Sequence, residues 1–420
     1  MFRSTRRKTV RSAVASFALA VALAGGAAVG SAAFTSEAAY AQNSRGFAEV
    51  YQPLAEMVNA TPPNFEGART AIPTLIAAIE NPNDRQLAGN LILNIGNNTS
   101  DPALQRQGLE MMLESGLVPV EQQGQFNWFV GSLAFQADDY AAARESFEVT
   151  KSLGYAPEGT DLDVLIAETH FQQDNVNAGV QHLVGAITAA EAAGTAVNQS
   201  WITNALQAAY DYDLTDQALV LSEKLIQHHP SQRNWENALR ILNQLYELPE
   251  DARVDLSRLM RLNNAIIDRQ EYIRYIEDLD PRVMSNEVQL VLAMGLDNGV
   301  FEADDPYYVE VKGIADQRAP QDRNGIDDII SEGQNGDALD ALSAGDVLYS
   351  LSDFAQAETM YKLALERGYD AGTANTRIGI TQAEQGNYAA AIETFGLVTG
   401  QRAPVARMWV AYAQQQMAGN

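Results

Sequence analysis

Along most of the chain, apolar residues recur every three or four positions, stop at a short polar turn, and then resume the same period. That spacing gathers the apolar side chains into one stripe of an α-helix. No stretch alternates apolar and polar residues as a half-buried strand does, so the predicted fold is all-α. The turns QADD, SLSD and EQGN are too short to do more than reverse the chain, which makes the predicted unit an antiparallel helix pair. Residues 42–123 alternate helical runs with the breakers ATPPNFEG, ENPND, GNNTSDP and SGLVP, and Asp101–Pro102 reads as an N-cap followed by a first-turn proline.

The pattern repeats in register. Gly345, Phe354, Ala357 and Tyr361 reappear as Gly379, Tyr388, Ala391 and Phe395, each 34 residues later. A further copy, from Gly124 to Tyr155, carries Gly131, Tyr140, Ala143 and Phe147 at the same offsets. Small residues at fixed sites in both helices predict the closest approach of the pair, where a larger side chain would push the helices apart. The two aromatics of each copy, seven residues apart, point to one side of their helix and predict a packed seam. These residues resemble the tetratricopeptide repeat, whose signature sets Gly, Tyr, Ala and Phe at such offsets within 34 residues. The resemblance implies a solenoid of stacked helix pairs.

Weaker copies occupy much of the remainder. Ala218 and Pro230 stand twelve apart after a helix beginning near Trp201, and Gly179 with Leu183 marks another pair. The predicted organisation is a leader at 1–41, degenerate helical repeats at 42–123, a helical solenoid at 124–296, an irregular joint of short helices at 297–337, and a terminal repeat pair with a capping helix at 338–420. The joint is expected because DNGVFEADDPYYVEVKGIADQRAPQDRNGIDDIISEGQNGD is dense in Gly, Asp, Asn and Pro.

The leader changes the picture of location. Arg3, Arg6, Arg7, Lys8 and Arg11 precede an uncharged apolar run, and Ala39 and Ala41 flank Tyr40 in a small-residue exit. Those are the parts of a secretory signal peptide, with cleavage expected near Ala41 and the periplasm as destination. The chain has no cysteine, which removes thiolate chemistry and disulfides. Its formal charge is −26, and loss of the basic leader deepens it, so nucleic acid and anionic lipid are excluded as natural partners of the mature chain.

Candidate chemistry is sparse. His170 and His182 fall on the two helices of one predicted pair, but no carboxylate stands beside them at metal-ligand spacing, and His228–His229 caps a helix end. In QDRNGIDDIISEG the glycine and the twelfth position do not fit a calcium loop. No nucleophile elbow or phosphate loop occurs, so no catalytic residue, metal or cofactor is expected.

The resemblance then implies a concave binding face lined by the first helix of each pair. Its offsets place Trp128, Phe129, Ser132, Phe135 and Gln136 there, with Asp346, Tyr349, Arg377 and Glu384 in the terminal pair. Trp128, Leu342 and Thr376 occupy positions where some members of the family carry a carboxylate-gripping residue, so that clamp is not expected. The predicted function is a non-catalytic protein-binding scaffold of the bacterial envelope, recognising a protein or peptide segment. A subunit of an envelope assembly or export machine is the competing binding role; a helical-array enzyme acting on polysaccharide is the competitor from another class. If the leader is cleaved as expected, N-terminal sequencing of the mature protein reads from near Gln42, and recovery of an intact 1–41 segment overturns the export assignment.

Overall fold

The computed structural model describes residues 43–419, so the expected leader lies outside the described residues. Those residues form 21 α-helices and no strand. By their contacts they divide into two compact units, one ending at Ala186 and one starting at Ile187. The division falls inside a helix rather than at a linker.

The first unit runs α1 Arg45–Asn59, α2 Phe65–Ala77, α3 Pro82–Thr99, α4 Pro102–Glu114, α5 Val120–Gln136, α6 Tyr140–Ser152, α7 Leu162–Gln172 and the start of α8 Val176–Ala193. Each of α1–α6 packs against the next helix. The crossing of α3 and α4 is closest where a Cβ on Gly89 would lie 2.7 Å from the Gly108 carbonyl oxygen. Asp101 caps α4 as expected, accepting from the Ala103 and Leu104 amides.

The second unit comprises the remainder of α8, α9 Gln199–Asp211, α10 Thr215–His228, α11 Gln232–Leu245, α12 Glu250–Leu262, α13 Arg269–Leu279 and α14 Ser285–Asp297. It continues through α15 Pro306–Asn324, α16 Ile326–Asn335, α17 Ala338–Ser350, α18 Phe354–Glu366, α19 Ala371–Glu384, α20 Tyr388–Phe395 and α21 Ala403–Gly419. From α9 onward each helix packs against the next, but the array also returns on itself: α21 packs on α10 and α12, and α19 packs on α12.

The three regular copies share one packing device. In each, a Cβ on the glycine would meet an aromatic ring of the partner helix: Gly131 meets Phe147 at 2.7 Å, Gly345 meets Tyr361 at 2.5 Å and Gly379 meets Phe395 at 2.6 Å. The nearest neighbour of each glycine is therefore the ring and not the small residue opposite. Ala143, Ala357 and Ala391 are fully buried, as close packing requires. The reversing turns match as well. Asp138, Ser352 and Gly386 take positive φ, and the next amide bonds back to Ala134, Leu348 and Gln382 respectively, satisfying a carbonyl at the helix end.

The expected irregular joint is mostly helix. Tyr308, Val311, Ala315 and Ala319 fall on one stripe of α15 and are buried, and Asp305 caps its start by accepting from Tyr307 and Tyr308. The apolar period outweighs the Gly, Asp and Pro content, and even Pro320 is carried inside the helix.

Because the ring of Tyr361 fills the space above Gly345, Gly345→Val should cost about 1–3 kcal/mol through overpacking. Ala357→Trp should fail for the same reason, and both are read as a lowered Tm. An unchanged melt for either variant counts against the seam as drawn.

Candidate functional site

Helix α12 has the sequence EDARVDLSRLMRL, and its second and third turns are buried nearly all round, with Asp255 and Arg258 enclosed together with Leu256, Leu259 and Met260. Burying a guanidinium is tolerated only if its charge and its donors are answered. Arg258 is 1% exposed, and its Nε and Nη2 donate to Glu287 at 3.0 and 2.8 Å in a two-pronged pair. Its guanidinium lies 3.8 Å from the ring centroid of Tyr349. Tyr275 donates to the same carboxylate at 2.6 Å.

Two further clusters flank this pair. Arg261 donates to Glu384 at 2.9 Å, and the Tyr349 hydroxyl donates to the same oxygen at 2.9 Å. Arg377 bonds through Nη1 to Asp346, which also accepts from the Tyr361 hydroxyl at 2.8 Å. One turn earlier on α12, Asp255 lies 3.4 Å from Arg258 Nη1 and accepts from Arg402 at 2.6 Å; Arg402 also pairs with Asp251, and the Trp409 indole donates to the Asp255 carbonyl at 3.0 Å. Residues far apart in sequence thus meet around one helix.

Charge states follow from these contacts. Burial alone would raise the Glu287 carboxyl, but the charge and hydrogen bonds of Arg258 overturn that and hold it below the usual range. For Asp255 the balance goes the other way: complete burial raises it in spite of Arg402, Arg377 and Arg258. Burial also pushes the hydroxyls of Tyr275, Tyr349 and Tyr361 well above the normal tyrosine range, so they remain donors.

Four expected groove residues therefore belong to an internal lattice. Tyr349 and Arg377 are buried, Asp346 and Glu384 are half-buried, and all four bond within the chain rather than lining an open face. In the first unit Trp128 is buried with its ring centroid 5.5 Å from that of Phe147, so it is a core residue. Ser132 is buried and donates to the Trp128 carbonyl at 2.8 Å. Phe135 is half-buried, edge-on to Tyr140 at 5.3 Å; Phe129 is half-buried and Gln136 exposed. The offsets place these residues on the correct helices, but they do not tell which of them a neighbouring helix covers.

The sequence reading passed over Asp255, Arg258, Arg261, Glu287 and Arg402. One signal was available: acid and base stand three apart at Asp255, Arg258 and Arg261, beside the apolar stripe of α12. The histidines take local partners. His182 meets Asp163 at 2.8 Å beside Lys151, and His228 meets Glu191 at 2.7 Å beside Lys224. His170 and His182 lie on α7 and α8, the two helices of one pair as expected, yet His182 takes a carboxylate partner and His170 faces Arg144. Among the described residues no group of three or more His, Asp or Glu side chains is arranged to hold a metal ion, and no helix is long and apolar enough to cross a membrane.

No family model matches the chain, and no curated protein matches it. Among solved structures, the TPR2AB-domain:pHSP90 complex of yeast Sti1 is similar at 15% identity with a TM-score of 0.24, over 71% of this chain and 95% of that one.

Removing Glu287 strands Arg258 in the interior, so Glu287→Ala should destabilise the protein by about 3–5 kcal/mol. Because the folded Glu287 carboxyl sits below its unfolded value, its contribution is complete above the ordinary glutamate range and disappears as pH falls through the lower folded value. The parent protein should therefore lose Tm on acidification in that window. Melting curves that fall equally in Glu287→Ala would assign the acid sensitivity to other groups.

Proposed function

We propose that the protein is a non-catalytic binding scaffold of the bacterial envelope, and that it contacts a partner polypeptide through the α5–α6 pair of its first unit. The observation that carries this reading is an exposed apolar strip at one end of that pair. Val120 is 71% exposed and Leu117 46%, while Val149 and Leu153 on α6 are 38% and 40% exposed. Val120 stands one helical turn before Gly124, and a Cβ on Gly124 would lie 2.5 Å from the Tyr155 Cβ and 3.6 Å from the Leu153 Cβ, so the start of α5 lies against the end of α6. Apolar side chains exposed at one end of a helix pair, on a chain this acidic, are a place to dock a partner and not a means of solvation.

The envelope assignment rests on the basic, apolar and small-residue parts of the leader and on the lack of cysteine.

A photo-crosslinking residue at Val120 or at Leu153, in the tagged mature chain mixed with envelope extract, should yield adducts with a discrete polypeptide identified by mass spectrometry. The same residue at Leu397, exposed in the second unit, should yield none. Adducts formed equally at all three sites, or only at Leu397, would overturn the reading.

A further inference from the structure

In the second unit a cavity of about 290 Å³ opens beside the buried charge lattice. Its wall carries Arg258, Arg377, Asp346, Asp278, Asp251 and Glu250, side chains contributed by α12, α13, α17 and α19. That volume lies at the small end of the range for ligand sites, too small for a folded partner.

A count of the wall charges shows which are already answered. Arg258 is held by Glu287, Asp278 by both prongs of Arg253, and Asp251 by Arg402. Asp346 is held by Arg377 and Tyr361. Two groups remain. Arg377 is 7% exposed, and among the described residues only its Nη1 has an acceptor; its Nε is enclosed without a hydrogen-bond partner. At the other extreme, Glu250 in the first turn of α12 is exposed and makes no ion pair among the described residues. Arg377 therefore reaches the cavity wall as an enclosed guanidinium met by an acceptor on one nitrogen alone, and the outer part of the cavity offers a free carboxylate.

A simple anion would meet the ring of carboxylates on its way in, and a simple cation would meet two enclosed arginines. A small molecule carrying both charges satisfies both ends, its carboxylate drawn to the Arg377 guanidinium and its ammonium facing Glu250. We propose that this cavity is a binding site for a small zwitterion of the amino-acid class, a function separate from the partner surface on the first unit.

The test uses the full mature chain, with the common L-amino acids as probes and acetate and methylammonium as single-charge controls, followed by thermal shift and titration calorimetry. At least one amino acid should raise Tm and bind saturably, and neither control should match it. Glu250→Gln should weaken that binding at least about tenfold by removing a charge-assisted hydrogen bond. Val283→Trp, at a 56% exposed position on the cavity wall, should block it without changing the unliganded Tm. Should Val283→Trp disturb the fold, Glu250→Gln remains decisive, since its side chain is exposed. The proposal is overturned if no amino acid binds, if binding persists unchanged in Glu250→Gln, or if acetate or methylammonium binds as well as the amino acids do.

Discussion

A guanidinium that is 1% exposed cannot sit in a helical array unless the array supplies a counter-charge in fixed geometry, and Arg258 sets that condition for the second unit. Its carboxylate comes from the start of α14 and its aromatic cover from α17. Asp255, one turn earlier on α12, draws in Arg402 and Trp409 from the end of the chain. Each demand is answered by a segment remote in sequence, so α12 is the element around which the later helices return. A buried lattice of this kind contributes less to net stability than to specifying one arrangement, because a slipped arrangement would leave a charge unpaired in the interior.

This return decides what the inner face can do. In an open array, Asp346, Tyr349, Arg377 and Glu384 would be available to a ligand chain. Here Tyr349 covers Arg258 and donates to Glu384, while Asp346 and Arg377 neutralise each other. The second unit uses its polar inner side chains to hold itself together, and Arg377, met by an acceptor on one nitrogen alone, also borders the cavity. The first unit has no such lattice among its described residues, and its solvent-facing apolar side chains gather at the end of α5 and α6.

The helix pairs were legible because their signals are local. Gly345 and Tyr361 belong to one hairpin, and a 34-residue repeat of the same residues at Gly379 and Phe395 implies the same contact twice. The turns were legible for the same reason, since Asp138, Ser352 and Gly386 occupy one backbone position in each copy. α15 was misread because composition was weighed above period: its Asp, Pro and Gly suggested loops, yet Tyr308, Val311, Ala315 and Ala319 kept the helical spacing. Trp128 shows the opposite limit. Its spacing fits a groove-lining position as well as a core position, and only the approach of Phe147 places it in the core.

By itself, then, the sequence determined the all-helical class, the hairpin unit, the recurring glycine and aromatic positions, and the acidic character of the surface. These depend on residues a few positions apart, or on composition, and need no knowledge of the rest of the chain. The tertiary structure alone decided that Arg258 meets Glu287, that Arg402 reaches Asp255 from 147 positions away, and that the Arg377 Nε is left without a partner among the described residues. A charge at a helical position reads as a solvated one until a second helix is seen to cover it. Covering is a property of how helices stack, and no spacing within a single helix records it.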